Sequence, residues 1–465
     1  MKKVVSILFT LVIIVYVNAQ KVVEWVSTTN DAQWTAHKAL KTQAATYKFD
    51  AEIKLDKPLQ RIDGFGTCFN ELGWSSLQLL NKKDRKSIFE ELFKPGKGAN
   101  FTICRMPVGA NDFVKSWYSY DETDGDFEMK NFSINHDLQT LVPFIKSAQQ
   151  YNPTLQLWAS PWSPPTWMKY NKHYALKLAK NVNNGIKPAQ QGHEGSDMFI
   201  QEDKYFKAYS LYFTKFIESY KAQNISIGMV MPQNEFNSAQ VFPSCTWTAK
   251  GLARFTNYLI PAMKALDVKV FLGTVERGNT KLIDTVLSET KGEIHGVGFQ
   301  WAGKGAIEAV HKQHPELTLY QSEQECGDGK NDWAYCVYAW GLMKHYLSNG
   351  ANAYMYWNTA LKQGGISTWG WEQNSLISVD TVNNSFKYNY EYYLMKHFSH
   401  YIKPGAKRLE TSGNSELLAF INPDKSIVLV LRNEGKEERK VMIKVGDKII
   451  SPTLKPDSFN TVLVK

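Results

Sequence analysis

ISIGMVMPQNEF, residues 225–236, carries one polar side chain, Ser226, before Pro232, and then ends abruptly in Gln233, Asn234 and Glu235. A continuous apolar run of this length, closed by a proline, reads as a strand buried on both faces, as strands of parallel sheets are. Such a strand ending in an amide and a carboxylate side by side either leaves the core there or sets an acid where a reaction happens. Which of the two applies depends on how the other strands end.

Seven more short apolar or aromatic runs occupy the chain between residues 61 and 360: IDGFGTCF (62–69), FTICRMPVG (101–109), LQLWASPW (155–162), KVFLGTVE (269–276), HGVGFQW (295–301), LTLYQSE (317–323) and ANAYMYWN (351–358). Longer helix-like segments separate them, among them 75–93, 135–150, 203–222, 247–266, 280–290 and 332–348. Parallel strands need such crossovers, so eight units in series predict a (β/α)8 TIM barrel over residues 61–400, in preference to a doubly wound open sheet. Many of the runs end on polar or aromatic residues: Asn111 and Asp112, Trp162, Asn234 and Glu235, Glu276 and Arg277, Gln300 and Trp301, Glu323, Trp357 and Asn358. A barrel brings the carboxyl ends of its strands to one face, where active sites are built. Glu235 then points at other polar groups.

Outside this region the pattern changes. Residues 415–450 alternate apolar and polar with turn signals at Asn422-Pro423-Asp424 and Asn433-Glu434-Gly435, which reads as antiparallel strands. Residues 401–465 are therefore expected to form a small β-sandwich side domain, completed by the N-terminal segment 20–60 through strands such as 47–55. Residues 1–19 combine Lys2 and Lys3, an apolar stretch and a small-residue end at Ala19, the layout of a secretory signal peptide cut after Ala19. A secreted or periplasmic protein without stable membrane insertion is expected. The long polar loop 180–198 suits a rim over the barrel mouth.

The formal charge of +9 falls to +7 once Lys2 and Lys3 leave with the signal, and the remaining bases are scattered, so a nucleic-acid face is not expected. Five cysteines are too few for a disulfide scaffold, although Cys326 and Cys336 are close enough in sequence for a local bridge. There is no G-x-S-x-G elbow, the phosphate-loop-like GFQWAGK (298–304) has Gly305 where a Ser or Thr should follow, and the HxxH spacings at His311/His314 and His397/His400 lack a third ligand. What remains is carboxylates among aromatics. Two acids at one face, one protonated and one ionised, suffice to cleave a glycosidic bond, and the 14 tryptophans include Trp162, Trp301 and Trp357 at strand ends, where they suit the apolar faces of sugars. Trp74 and Trp340, on helix-like segments, read as core.

GFGTCFNELG (64–73), RMPVGANDF (105–113), ASPWSPPTWMK (159–169), PQNE (232–235), YQSEQE (320–325) and YMYWNTAL (354–361), in that order, resemble glycoside hydrolase family 30, the family of glucosylceramidase and of β-1,6-glucanases. The resemblance runs from about residue 61 to the C-terminus. It implies a barrel with a β side domain, a metal-independent reaction without cofactor, and retention of configuration. By it, Glu235 is the general acid/base, Asn234 binds the sugar hydroxyl next to the anomeric carbon, and Glu323 is the nucleophile, the two carboxyls about 5–5.5 Å apart. Glu325 shares the parity of Glu323 and stays open as the alternative. Asp112 resembles an aspartate gripping the far hydroxyls of the sugar, Arg105 an arginine beneath the acids, Trp162 and Trp357 aromatics walling the subsite, and Asn374 in WEQNS an asparagine within it. For Arg105 a structural ion pair is the plain alternative.

Two departures bear on substrate. Gln300-Trp301-Ala302 stands where glucosylceramidase has His-Trp-Tyr, and Glu276 adds a third acid where that enzyme has an amide. Both favour a sugar aglycone over ceramide. The expected activity is hydrolysis of β-glucan, β-1,6-linked, or of β-glucosides. Glucosylceramide, β-xylosides, β-fucosides and β-galactans remain as alternatives, as does a binding barrel without turnover.

Overall fold

The computed structural model describes residues 22–45 and 48–465; the expected signal peptide lies outside them. Eight strands form the central sheet: β1 (Gly64–Cys68), β2 (Ile103–Pro107), β3 (Gln156–Ser160), β4 (Met229–Val230), β5 (Lys269–Val270, continued by Leu272–Val275), β6 (Gly296–Gln300), β7 (Thr318–Glu323) and β8 (Ala351–Asn358). All neighbours are parallel, and β8 pairs with β1. The first half of β5 pairs with β4 and the second half with β6. The interruption at Phe271 thus lets one strand close the ring, and the structure is a (β/α)8 barrel.

The stretch 225–236 is shorter as a strand than its apolar length implies. Only Met229 and Val230 have ladder geometry, yet Gly228 and Met231 still donate to Leu157 and Ala159 of β3, at 3.0 and 2.9 Å. Along β1 the strands approach closely enough that a Cβ on Gly66 would lie 1.6 Å from the Ile103 carbonyl oxygen, so only glycine fits there. The helix expected over 75–93 is two helices, Glu71–Gln78 and Lys82–Phe93. Asn70 caps the first by accepting from Gly73 N and Asn81 restarts the second by accepting from Asp84 N, which interrupts the apolar periodicity at Leu80.

Beside the barrel stands a ten-stranded sheet in which the N-terminal strand Ala51–Arg61 lies between Lys407–Ser412 and Ile443–Val445, while Val22–Thr28 pairs with Ser458–Val464. Strand alternation assigns its two faces. In Ile427–Asn433, Ile427, Leu429 and Leu431 enter a core inside the sandwich, whereas Val428 and Val430 join the barrel core. At about 1.5–3 kcal/mol for each fully buried aliphatic side chain, both faces bind the sheet firmly. Phe459 and Phe420 extend the barrel-side contact through Trp340 and Phe398. All five cysteines are buried and unbridged, so the local bridge between Cys326 and Cys336 does not form. Among the described residues, no helix is long and apolar enough to cross a membrane.

Candidate active site

On a strand, consecutive side chains point to opposite faces, so Asn234 and Glu235 should diverge. They do not, because Glu235 takes φ +47°, a left-handed conformation that costs a non-glycine residue about 1 kcal/mol or more. Two hydrogen bonds hold the turn: Asn234 N donates to the Pro161 carbonyl at 2.7 Å and Glu235 N to Thr274 Oγ1 at 2.9 Å. The same device closes β6, where Trp301 has φ +47°. Gln300 and Trp301 can then both donate to Glu323 from adjacent positions, Nε2 to Oε2 and Nε1 to Oε1, each at 3.2 Å.

Gln300 Nε2 is the common neighbour. It lies 3.2 Å from Glu235 Oε1, from Glu323 Oε2 and from Asn234 Oδ1. The two glutamate oxygens are therefore within twice that distance of each other. Beneath them Arg105 is fully buried. Nη1 donates to Glu323 Oε2 at 2.5 Å; Nη2 donates to Asn234 Oδ1 at 2.7 Å and to Ser160 Oγ at 2.9 Å. Its guanidinium carbon stands 4.4 Å from the Trp162 ring centroid and 5.0 Å from that of Trp158, which holds the charge in a buried, aromatic box. Trp162 in turn stacks on Trp357 at 5.1 Å.

Burial, then the charge of Glu323, pushes the Glu235 carboxyl up to about 7. Burial raises Glu323 as well, but Arg105, Trp301 and Gln300 oppose it. Of the pair, Glu323 has the cation and more donors, so the shared proton rests on Glu235. Asp112 is held well above the usual carboxylate range by burial and by the charges of Glu323 and Glu235, and its Oδ1 has no hydrogen-bond partner among the described residues. Burial and the charge of Glu235 push Glu276 up to about 8; neither of its oxygens has a hydrogen-bond partner there either.

These groups open into a cavity of about 570 Å³ at the carboxyl ends of the strands, lined by Glu235, Glu323, Asn234, Asp112, Trp162 and Trp301. Arg277, read at the end of the fifth run, lines it too, and loops that strand-end reading does not reach complete it: Gln240 and Phe242 after β4, Lys304 after β6, and Trp371 to Gln373 after β8. Trp371 sits three residues from Asn374 in the same motif, and its aromatic character was the available signal. Arg277 pairs with Glu194, which brings the polar loop 180–198 to the rim. Arg105, Gln300, Trp357 and Glu276 form a layer behind the lining.

Asn374 is not brought to the cavity. Its Nδ2 donates to the buried Glu391 at 2.8 Å and its Oδ1 accepts from Asn331 N at 3.0 Å, one layer behind Gly327. Glu325 also turns elsewhere, taking Lys304 Nζ at 2.6 Å and the Tyr338 hydroxyl at 2.8 Å. A cavity of about 470 Å³ at the opposite barrel end has a single acid in its lining, Asp63, engaged by the Tyr320 hydroxyl at 3.0 Å, and so lacks the paired carboxyls.

Two buried acids sharing one proton in an aromatic-walled barrel mouth are the equipment of a glycoside hydrolase, and the chain is one. It belongs to glycosyl hydrolase family 30: residues 62–402 match the glycosyl hydrolase family 30 TIM-barrel domain and residues 405–462 the glycosyl hydrolase family 30 beta sandwich domain. It is 30% identical over 414 residues to Putative glucosylceramidase 1 of Caenorhabditis elegans, covering 82% of this chain and 76% of that one. To Endo-1,6-beta-D-glucanase of Neurospora crassa it is 25% identical over 426 residues, covering 86% and 84%. The fold is that of SrfJ from Salmonella typhimurium, with a TM-score of 0.84 at 23% identity and coverage of 96% of this chain and 99% of that one.

Proposed function

We propose that this chain is a secreted, retaining β-glucosidic hydrolase acting on β-glucan, with β-1,6 linkages as the preferred substrate. The observation that carries the mechanism is the shared contact at Gln300 Nε2, which keeps the facing oxygens of Glu235 and Glu323 within twice 3.2 Å. That upper bound on the facing oxygens accommodates the about 5–5.5 Å of double displacement. In the first step Glu235 gives its proton to the glycosidic oxygen while the Glu323 carboxylate attacks the anomeric carbon, releasing the aglycone and forming a glycosyl ester. In the second, Glu235 takes a proton from water, the hydroxide displaces Glu323, and both acids return to their starting states. Asn234, fixed by Arg105, binds the neighbouring sugar hydroxyl, Asp112 takes the far hydroxyls through its unpartnered oxygen, and Trp162, backed by Trp357, walls the ring.

Substrate class rests on the rest of the lining. Arg277, Lys304, Glu372, Gln240 and Gln373 suit hydroxyls, and Trp301, Phe242 and Trp371 offer aromatic faces that suit sugar rings. Similarity to the Neurospora crassa endo-1,6-β-glucanase supports the same linkage. Secretion is supported by the layout of residues 1–19. The test is a panel of β-1,6-glucan, β-1,3-glucan, glucosylceramide and aryl β-xyloside, with the anomer released first read by NMR. Fastest turnover of β-1,6-glucan with the β-anomer appearing first supports the reading; preference for glucosylceramide, or α-anomer first, refutes it.

A further inference from the structure

A second rim cavity, about 320 Å³, lies beside the first. Its walls include Trp117, Tyr174 and Trp369, with Lys115, Asn181 and Asn183 among them. Trp117 and Tyr174 stack at 5.2 Å with their planes 13° apart, and Trp369 stands 6.2 Å from Tyr174. Trp117 and Tyr174 are half-buried, whereas Asn181 and Asn183 are exposed.

The walls are tied down. Tyr174 donates its hydroxyl to the Asn184 carbonyl at 3.0 Å, and Asn184 Nδ2 donates to the Lys177 and Val241 carbonyls at 3.0 and 2.7 Å. Thr368 bonds the Val114 carbonyl, and Ser367 N donates to the Trp371 carbonyl at 2.8 Å, closing the turn that carries Trp369. One segment is a wall of both cavities: Thr368, Trp369 and Gly370 line this one, and Trp371, Glu372 and Gln373 line the catalytic one. On the other side, the residues from Asp112 to Trp117 also run from one cavity to the other.

We propose that this second cavity binds further glucosyl units of the β-glucan chain whose scissile bond lies between Glu235 and Glu323. The half-buried indole of Trp117, backed by Tyr174, matches the apolar face of a glucopyranose ring, and the amides and ammonium at the edge match its hydroxyls. A separate small ligand would not need a wall in common with the catalytic cavity; a chain passing from one to the other does. This proposal rests on the β-glucan reading above and adds chain-length dependence to it.

The test uses the full chain and linear β-1,6-gluco-oligosaccharides of two to eight units. In the parent, kcat/KM rises with length beyond the disaccharide. Trp117→Ala lowers the ratio of octasaccharide to disaccharide kcat/KM about tenfold, the size expected for one lost aromatic platform. Asn181→Ala/Asn183→Ala, which alters only exposed side chains, lowers the same ratio about threefold, as expected for lost hydrogen bonds. A structural role for Trp117 instead lowers both substrates by one factor and leaves the ratio unchanged. A parent that cleaves β-glucan with no dependence on length, or variants with the parent's ratio, overturns the second cavity alone. No turnover of any β-glucan overturns the underlying reading with it.

Discussion

Arg105 donates from Nη1 to Oε2 of Glu323 at 2.5 Å, with the guanidinium fully buried and the carboxylate nearly so. Breaking a buried pair by removing one partner costs about 3–5 kcal/mol, because the other charge is left in a dry site. Here the cation also fixes Asn234, so charge and position are lost together. Arg105→Lys keeps the charge but loses the fork. It is expected to lower kcat/KM about 100-fold, equal to about 2.7 kcal/mol, and to move the acid limb of the pH profile upward as Glu323 becomes harder to ionise. Steady-state kinetics from pH 4 to 8 check both.

The alkaline limb of the pH profile is expected to follow Glu235. Burial and Glu323 push its carboxyl up to about 7, and the acid role needs the protonated form, so kcat/KM falls as pH rises through about 7. Glu235→Gln removes that limb. With an aryl glucoside whose leaving group needs no proton, the loss is small and the profile flattens on the alkaline side. With β-1,6-linked disaccharide it exceeds about 1,000-fold, within the usual range for general acid catalysis.

Glu276 makes a stability prediction. Its carboxyl is pushed up to about 8, above the ordinary carboxyl range. Between the ordinary value and about 8, the folded chain holds a proton that the unfolded chain has released, so its contribution to stability falls as pH rises across that window. Glu276→Gln has no proton to lose. The Tm difference, variant minus parent, should therefore increase from pH 5 to pH 8, which thermal melts at fixed ionic strength measure.

Gly66→Ala tests the barrel itself. A Cβ there would fall 1.6 Å from the Ile103 carbonyl oxygen, so β1 and β2 must separate. A loss of at least about 3 kcal/mol in urea unfolding is expected, the scale of overpacking against a backbone that cannot yield.

The barrel was legible because burial on both faces demands continuous apolar runs, and eight such runs separated by helical patterns leave few topologies. The break at Phe271 was not, since nothing in KVFLGTVE differs from an unbroken strand. Strand ends identified much of the cavity lining: Glu235, Glu323, Asn234, Trp162 and Trp301. That adjacent residues 234 and 235 share a face was hidden, because the left-handed turn at Glu235 is imposed by Thr274 and Pro161, far away in sequence. Asn374 and Trp371 are the reverse case. Both lie in one loop after β8, where no periodicity says which side chain faces inward, and the amide is taken by Glu391 while the indole lines the cavity.

The central claim is that Glu323 forms the covalent bond to the sugar while Glu235 manages the proton. A 2-deoxy-2-fluoro-β-glucoside with a good leaving group slows release of the ester, so the adduct accumulates and can be mapped by mass spectrometry of the digested chain. The account predicts a single fluoroglucosyl group on Glu323. A label on Glu325, or none while the compound is turned over, would contradict it.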